Sequence, residues 1–197
     1  MRTILAAAML AAAAPAAAQD MPAASGAVAE KSIDDLRAML GAGKATSMSL
    51  TQAYLDRIDA IDRKGPTLRS VIAISPNALD QARASDRRRK AGKPLGPLDG
   101  IPVLIKDKIE TRELPTTAGS LALASNHTRR DAPLVARLRA QGAVILGKTN
   151  VPEFAAGSHT FNPVFGATHN PYRHGLSAGG SSGGAAAALA AGFVPLA

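Results

Sequence analysis

The 197-residue sequence has no cysteine and no tryptophan, and aromatic residues of any kind make up only 3% of it. Without cysteine there is no disulfide scaffold, thiolate zinc site, iron–sulfur cluster or thiol nucleophile, and nothing to carry a thioether lipid anchor. So few aromatics leave no interleaved stacking surface of the kind that binds single-stranded nucleic acid. The apolar stretch Ile4 to Ala14 is too short to span a bilayer. Acidic residues are outnumbered, 15 against 23 basic ones, giving a formal charge of +8. That balance raises nucleic acid, an anionic membrane or an acidic substrate as partners. The distribution argues against all three, because the basic residues are scattered and the densest run, Arg87-Arg88-Arg89-Lys90, reads as a solvated helix face. What the chain does have is aliphatic bulk, with 46% hydrophobic residues and many alanines. A chain of this length forms one domain, or part of a larger one, and can bury roughly 70% of its unfolded surface.

The N-terminus has the pattern of a secretory signal peptide over residues 1–18. Arg2 supplies the positive charge, Ile4 to Ala14 the apolar stretch, and Ala16-Ala17-Ala18 a small-residue cleavage site. Residues 19–31 read as a polar, alanine-rich leader that stays unpacked, and residues 32–197 as the folded part. The expectation is a periplasmic or secreted protein, free of the membrane after cleavage; cytoplasmic residence is the alternative.

Helices and strands then alternate. Ser32 with Asp35 predicts an N-cap pair for a helix through Leu40, and Ser49 with Gln52 a capping box for the next. In that helix Leu50, Tyr54, Ile58 and Ile61 form an inward stripe that leaves Asp56, Asp59 and Asp62 outward. Val71 to Ile74 predicts a strand, and Ser75-Pro76 starts a helix running to about Ala91. Val103 to Ile105 is a short buried strand. Asp131 caps a helix containing Leu134, Val135 and Leu138, which Gly142 ends, and Ala143 to Leu146 is again a buried strand. The class is α/β. From Thr149 to Gly184 the chain reads as a long loop, a length usually reserved for function or disorder. An alanine-rich helix follows, closed by Gly192, and Phe193 to Ala197 reads as the start of a strand.

Three motifs compete for the chemistry. Gly142 to Thr149 matches G-x-x-x-x-G-K-[ST] letter for letter, but its interior is an aliphatic strand and Pro152 follows where a phosphate loop needs a helix. Gly179 to Gly184 satisfies G-x-S-x-G twice. A nucleophile elbow would put its histidine after the serine, whereas His127, His159, His169 and His174 all precede it. Those histidines lack metal-ligand spacing and read as loop or surface residues. The third motif joins two segments. Lys106 ends the apolar strand of Gly100-Ile101-Pro102-Val103-Leu104-Ile105, where desolvation lowers a lysine pKa and makes a general base available. The glycine–serine loop offers hydroxyls for such a base. An ion-pair lysine and a flexible helix cap or anion site remain the plainer readings of those residues.

Together the segments resemble the amidase signature family. Gly100 to Thr111, Thr116-Thr117-Ala118-Gly119-Ser120, Gly147-Lys148-Thr149-Asn150 with Glu153-Phe154-Ala155, Asn170-Pro171-Tyr172, and Gly179 to Gly184 with its alanine-rich helix stand in that family's order and spacing. The resemblance implies a mixed central β-sheet surrounded by helices, incomplete in this chain, and hydrolysis of a small-molecule carboxamide by a serine, cis-serine and lysine mechanism. It implies no metal and no cofactor. By position Lys106 is the base and Ser181 the bridging cis-serine, with Ser182 its neighbour in a loop built from Gly179, Gly180, Gly183 and Gly184. Where the family reads Lys-Asp-Asn this chain reads Lys106-Asp107-Lys108, so a second ammonium that faced the site would lower the pKa of Lys106 further. The family's nucleophilic serine comes a couple of dozen residues after the cis-serine, and Ala197 lies only 16 residues past Ser181. The expectation is a truncated amidase in which residues 32–197 form the N-terminal part of the domain, without its nucleophile and inactive as it stands. A non-catalytic exported relative with a binding or structural role is the alternative. Phe154, Phe161 and Phe165 serve equally as packing residues or pocket walls.

Overall fold

The computed structural model describes residues 28–197. The signal pattern of residues 1–18 and most of the leader lie outside the described residues. The leader's end is packed, contrary to expectation: Val28 is buried in the core and its carbonyl accepts a hydrogen bond from the Tyr54 hydroxyl at 3.1 Å.

A helical pair opens the fold, α1 over Ile33–Gly41 and α2 over Ser47–Arg57. Ser32 and Asp35 close α1 with a reciprocal capping box, as their spacing predicts. The box of α2 sits three residues earlier than expected, between Thr46 and Ser49. Ser49 is therefore the third helical residue, and Thr46, whose backbone is extended, takes the cap. Leu50, Tyr54, Ile58 and Ile61 form the buried stripe. The last two lie in a π-helical continuation over Ile58–Lys64. That wider turn overturns one expectation, because it rotates Asp62 inward. Its carboxylate accepts from the Ser70 hydroxyl, the Ser70 N–H and the Val71 N–H, anchoring the start of the first strand. Burial nonetheless pushes the Asp62 carboxyl above its ordinary range.

Three strands make the central sheet in the order β1 (Val71–Ile74), β3 (Val144–Thr149), β2 (Pro102–Lys106). The sheet is mixed, with β1 antiparallel and β2 parallel to the central β3. Helix α3 (Ala78–Lys90) begins two residues after Pro76, with Asn77 at its cap. Helix α4 (Pro133–Ala140) is not capped by Asp131, whose carboxylate instead pairs with Arg139 and accepts from the Arg112 N–H. The basic run is only half solvated. Arg87 and Lys90 are exposed, while Arg88 pairs with the buried Asp99 and Arg89 donates to the Asp99 carbonyl.

Strand alternation divides the core. Leu104, Val144 and Leu146 face α1, α2 and α3, together with Ala188 of the last helix and Ala191 and Phe193 just beyond it. Val103, Ile105 and Ile145 face α4 through Val135. A register shift after Val103 pairs Leu104 with Gly147, and Lys106 then meets Thr149 at the strand ends. The long loop holds a small hairpin, β4 (Phe161–Asn162) with β5 (Gly166–Ala167). Helix α5 spans Gly183–Ala190. Residues 193–197 form no strand, although the Leu104 N–H donates to the Leu196 carbonyl at 3.2 Å along the free side of β2.

Candidate active site

Alternation along β2 sends Lys106 to the same face as Leu104, the face that α5 covers. The N-terminus of α5 approaches the end of β3 so closely that a Cβ on Gly184 would lie 2.4 Å from backbone atoms of Asn150. Only glycine permits that approach, and it brings the preceding loop over the end of β2. There the Lys106 Nζ lies 2.8 Å from the Ser181 Oγ and 2.7 Å from the Ser182 Oγ. The peptide bond between Gly180 and Ser181 is cis.

The plainer readings of these residues do not describe the arrangement. Lys106 has no carboxylate within ion-pair distance among the described residues. Ser182 stands at the N-cap of α5 without capping it, because its hydroxyl turns to Lys106 instead. Beside the pair is a cavity of about 310 Å³ walled mainly by aliphatic side chains, including Val103, Ile109, Leu134, Leu138 and Leu196. Partial burial lowers the Lys106 pKa from the ordinary lysine range, and the charge of Lys108 lowers it further. Lys108 itself is exposed, so its effect reaches Lys106 as a field and not as a contact.

Sequence reasoning missed the ion pair beneath the site. Lys148 is fully buried and its ammonium lies 3.1 Å from the Asp107 carboxylate, with the Thr116 Oγ1 and the Pro115 carbonyl completing its shell. Desolvation lowers the Lys148 pKa, and Asp107 opposes that shift. The Asp107 carboxylate also accepts from the hydroxyl and N–H of Thr117, and its backbone bonds Thr149 and Ala118. The residue after Lys106 thus ties β2, β3 and the Thr116–Ser120 loop together. A signal was available, since a lysine inside the aliphatic run Val144 to Thr149 needs a buried partner. As the strand context indicates, Gly142 to Thr149 forms part of the sheet and not a phosphate loop.

The histidines stand apart from Lys106 in the bonding pattern. His127 is exposed, His159 bonds the Ser177 hydroxyl, and His169 stacks on His174 with ring centroids 4.1 Å apart. Among the described residues no group of three or more histidine, aspartate or glutamate side chains is placed to hold a metal ion. Phe154 and Phe161 are exposed, at 59% and 61%, and Phe165 borders a separate cavity with Arg63 and Arg69.

The sequence profile of the amidase family matches residues 49–197. The chain belongs to the amidase family. It is 49% identical over 162 residues to a glutamyl-tRNA(Gln) amidotransferase subunit of Salinispora arenicola, covering 82% of this chain and 33% of that protein. The native peptide amidase of Stenotrophomonas maltophilia superposes with a TM-score of 0.82 at 47% identity, over 85% of this chain and 35% of that one. A bacterial aryl acylamidase of the amidase signature family superposes with a TM-score of 0.78 at 30% identity, over 85% and 34%. The chain therefore spans about a third of the length of the relatives it matches, and the small mixed sheet between helices is part of the amidase-signature fold.

Proposed function

We propose that this chain supplies the base and the bridging hydroxyl of an amide hydrolase that cleaves the C–N bond of a carboxamide to a carboxylate and ammonia or an amine. The observation that carries the reading is the contact between the Lys106 Nζ and the Ser181 Oγ, 2.8 Å, in a lysine whose pKa is held down by burial. Neutral Lys106 takes a proton from Ser181, and Ser181 takes one from a nucleophilic serine as that oxygen attacks the amide carbonyl. Collapse of the tetrahedral intermediate breaks the C–N bond, and the proton returns along the relay to the departing nitrogen. In this reading the nucleophilic serine comes from the part of the amidase domain that the relatives have and this chain, at about a third of their length, does not span.

The signal pattern of residues 1–18 supports export to the periplasm or beyond. That location favours a small carboxamide over the tRNA-linked task named for the amidotransferase relatives. The reading is tested by extending the reading frame past Ala197 and assaying ammonia or amine release from peptide, aryl and aliphatic amides. A glycine- and serine-rich continuation with activity on one class supports it. A stop codon in the natural frame, or an extended chain inert on all three classes, favours the non-catalytic role.

The pH dependence has a definite sign. Activity needs neutral Lys106, so the rate rises as pH climbs through the pKa of that lysine, which lies below the ordinary lysine value of 10.5. The charge of Lys108 contributes to that lowering. Lys108→Gln therefore moves the rising limb of the pH–rate profile to higher pH. The shift is small because Lys108 is exposed and screened, so it should shrink further with added salt. A limb moved downward contradicts a repulsive contribution of Lys108 to the Lys106 titration, and a limb that persists in Lys106→Gln along with activity contradicts Lys106 as base.

A further inference from the structure

The loop that carries Ser181 and Ser182 is closed at both ends by one buried side chain that the proton relay does not use. Thr160 is 2% exposed. Its hydroxyl donates to the Gly179 carbonyl at 2.8 Å and accepts from the Gly183 N–H at 3.0 Å. Its backbone N–H donates to the same Gly179 carbonyl at 2.9 Å. A single residue thus bridges the first and last positions of a five-residue segment with both site hydroxyls between them.

The clamp is tied by hydrogen bonds to the hairpin and to the end of β3. The Thr160 carbonyl accepts from the Thr168 N–H across the β4–β5 hairpin, and the Thr168 hydroxyl donates to the Arg69 carbonyl at 2.8 Å. The Asn150 side chain donates to the Thr168 Oγ1 at 3.1 Å, which joins the hairpin to the end of β3. The fit leaves no slack, because a Cβ on Gly183 would lie 2.3 Å from the Thr160 Oγ1 and one on Gly180 2.9 Å from the His159 backbone nitrogen. Gly183 is the first residue of α5, so its N–H has no acceptor within the helix and depends on an outside one. Valine at position 160 would keep the shape, remove that acceptor and leave a buried N–H unpaired. Serine would keep the oxygen.

We propose that Thr160 is a positioning residue, which pins the Gly179–Gly183 loop by bridging its ends and so sets where the Ser181 and Ser182 hydroxyls stand relative to the Lys106 Nζ. The consequence for rate rests on the amide-hydrolysis reading; the geometric consequence does not.

The test titrates the Lys106 ammonium by heteronuclear NMR in the 197-residue chain and in its Thr160→Val and Thr160→Ser variants. Thr51→Val serves as a control for loss of a buried hydroxyl, since the Thr51 Oγ1 is buried without a partner and far from the loop in the bonding pattern. Thr160→Val frees the loop, admits water to Lys106 and raises its titration point towards the ordinary lysine value. Thr160→Ser and Thr51→Val leave it where it is in the parent. An unchanged titration in a folded Thr160→Val chain overturns the proposal, and so does an equal change in Thr51→Val. If the valine variant does not fold, hydrogen exchange in the unaltered chain decides. The Gly183 amide must then exchange more slowly than that of Gly184, and equal or faster exchange overturns the proposal. In an active extended chain, Thr160→Val lowers kcat by about 10²-fold with KM little changed, the size expected when reacting groups shift by about 1 Å. If the extended chain hydrolyses nothing while the titration still moves, the functional reading fails and the positioning role stands.

Discussion

Replacing Lys106 by alanine in a chain extended past Ala197 is expected to lower amide hydrolysis by about 10²- to 10⁴-fold, the range contributed by a general base. The expectation follows from geometry, because the ammonium makes its two hydrogen bonds to Ser181 and Ser182 and none to a carboxylate. Ser181→Ala should cost a similar factor, since it removes the hydroxyl that the proposed relay sets between Lys106 and a nucleophilic serine. The double variant should be no worse than the weaker single one, as groups in one relay act as a unit. Steady-state rates on the best amide give the comparison, with circular dichroism and urea midpoints to establish that both variants fold. Lys106 is only partly buried and Ser181 lies on a loop, so stability should change little. Either single variant retaining the parent rate would remove its residue from the mechanism. A double variant with multiplied losses would show that the two act separately.

The largest effect on stability is expected at the neighbouring residue. Asp107→Ala should cost about 3–5 kcal/mol in urea unfolding, because it leaves the ammonium of fully buried Lys148 without its counter-charge. The double variant Asp107→Ala with Lys148→Met should lose less than Asp107→Ala alone, since no buried charge is then stranded. The pH dependence follows from the direction of the Lys148 shift. Desolvation already lowers its pKa below the ordinary lysine value of 10.5, and losing Asp107 lowers it further. The folded state then binds fewer protons than the unfolded chain between the two pKa values, so stability rises with pH across that interval. The deficit of Asp107→Ala should therefore shrink as pH approaches 10.5 from below. A loss under about 1 kcal/mol, or a deficit that grows with alkaline pH, would mean that the pair is not the counter-charge it is taken for.

These two residues show what was legible in the chain and what was not. Lys106 announced itself because it ends a short aliphatic strand, where its stem is buried and its ammonium partly desolvated. Asp107 gave no comparable sign, as an aspartate after a strand is ordinary turn chemistry, and its partner lies 41 positions away at Lys148. Asp62 and Asp131 were misplaced for related reasons. Helical periodicity of 3.6 put Asp62 outward, but the π-helical turn changes the period at Ile58. Asp131 stands where a cap belongs, yet a guanidinium on the same helix, Arg139, offers a stronger partner than the helix N–H groups. Thr160 had no sequence signal, since a threonine inside a long polar loop is unremarkable until the loop folds back on Gly179 and Gly183.

The sequence by itself determined the α/β alternation, the three sheet strands with their inward residues and the capping box of the first helix, each of which depends on neighbours a few positions apart, where period and propensity act. Lys106 stood out as a strand-end lysine, while its role as base and that of Ser181 as bridge came from the order of motifs that resembles the amidase signature family. Only the tertiary structure decided that the Lys106 ammonium meets both loop hydroxyls, that Lys148 lies buried against Asp107, and that Thr160 closes the loop. Those contacts join residues 19 to 76 positions apart, and which donor meets which acceptor across such separations is fixed by packing and burial, not by local pattern.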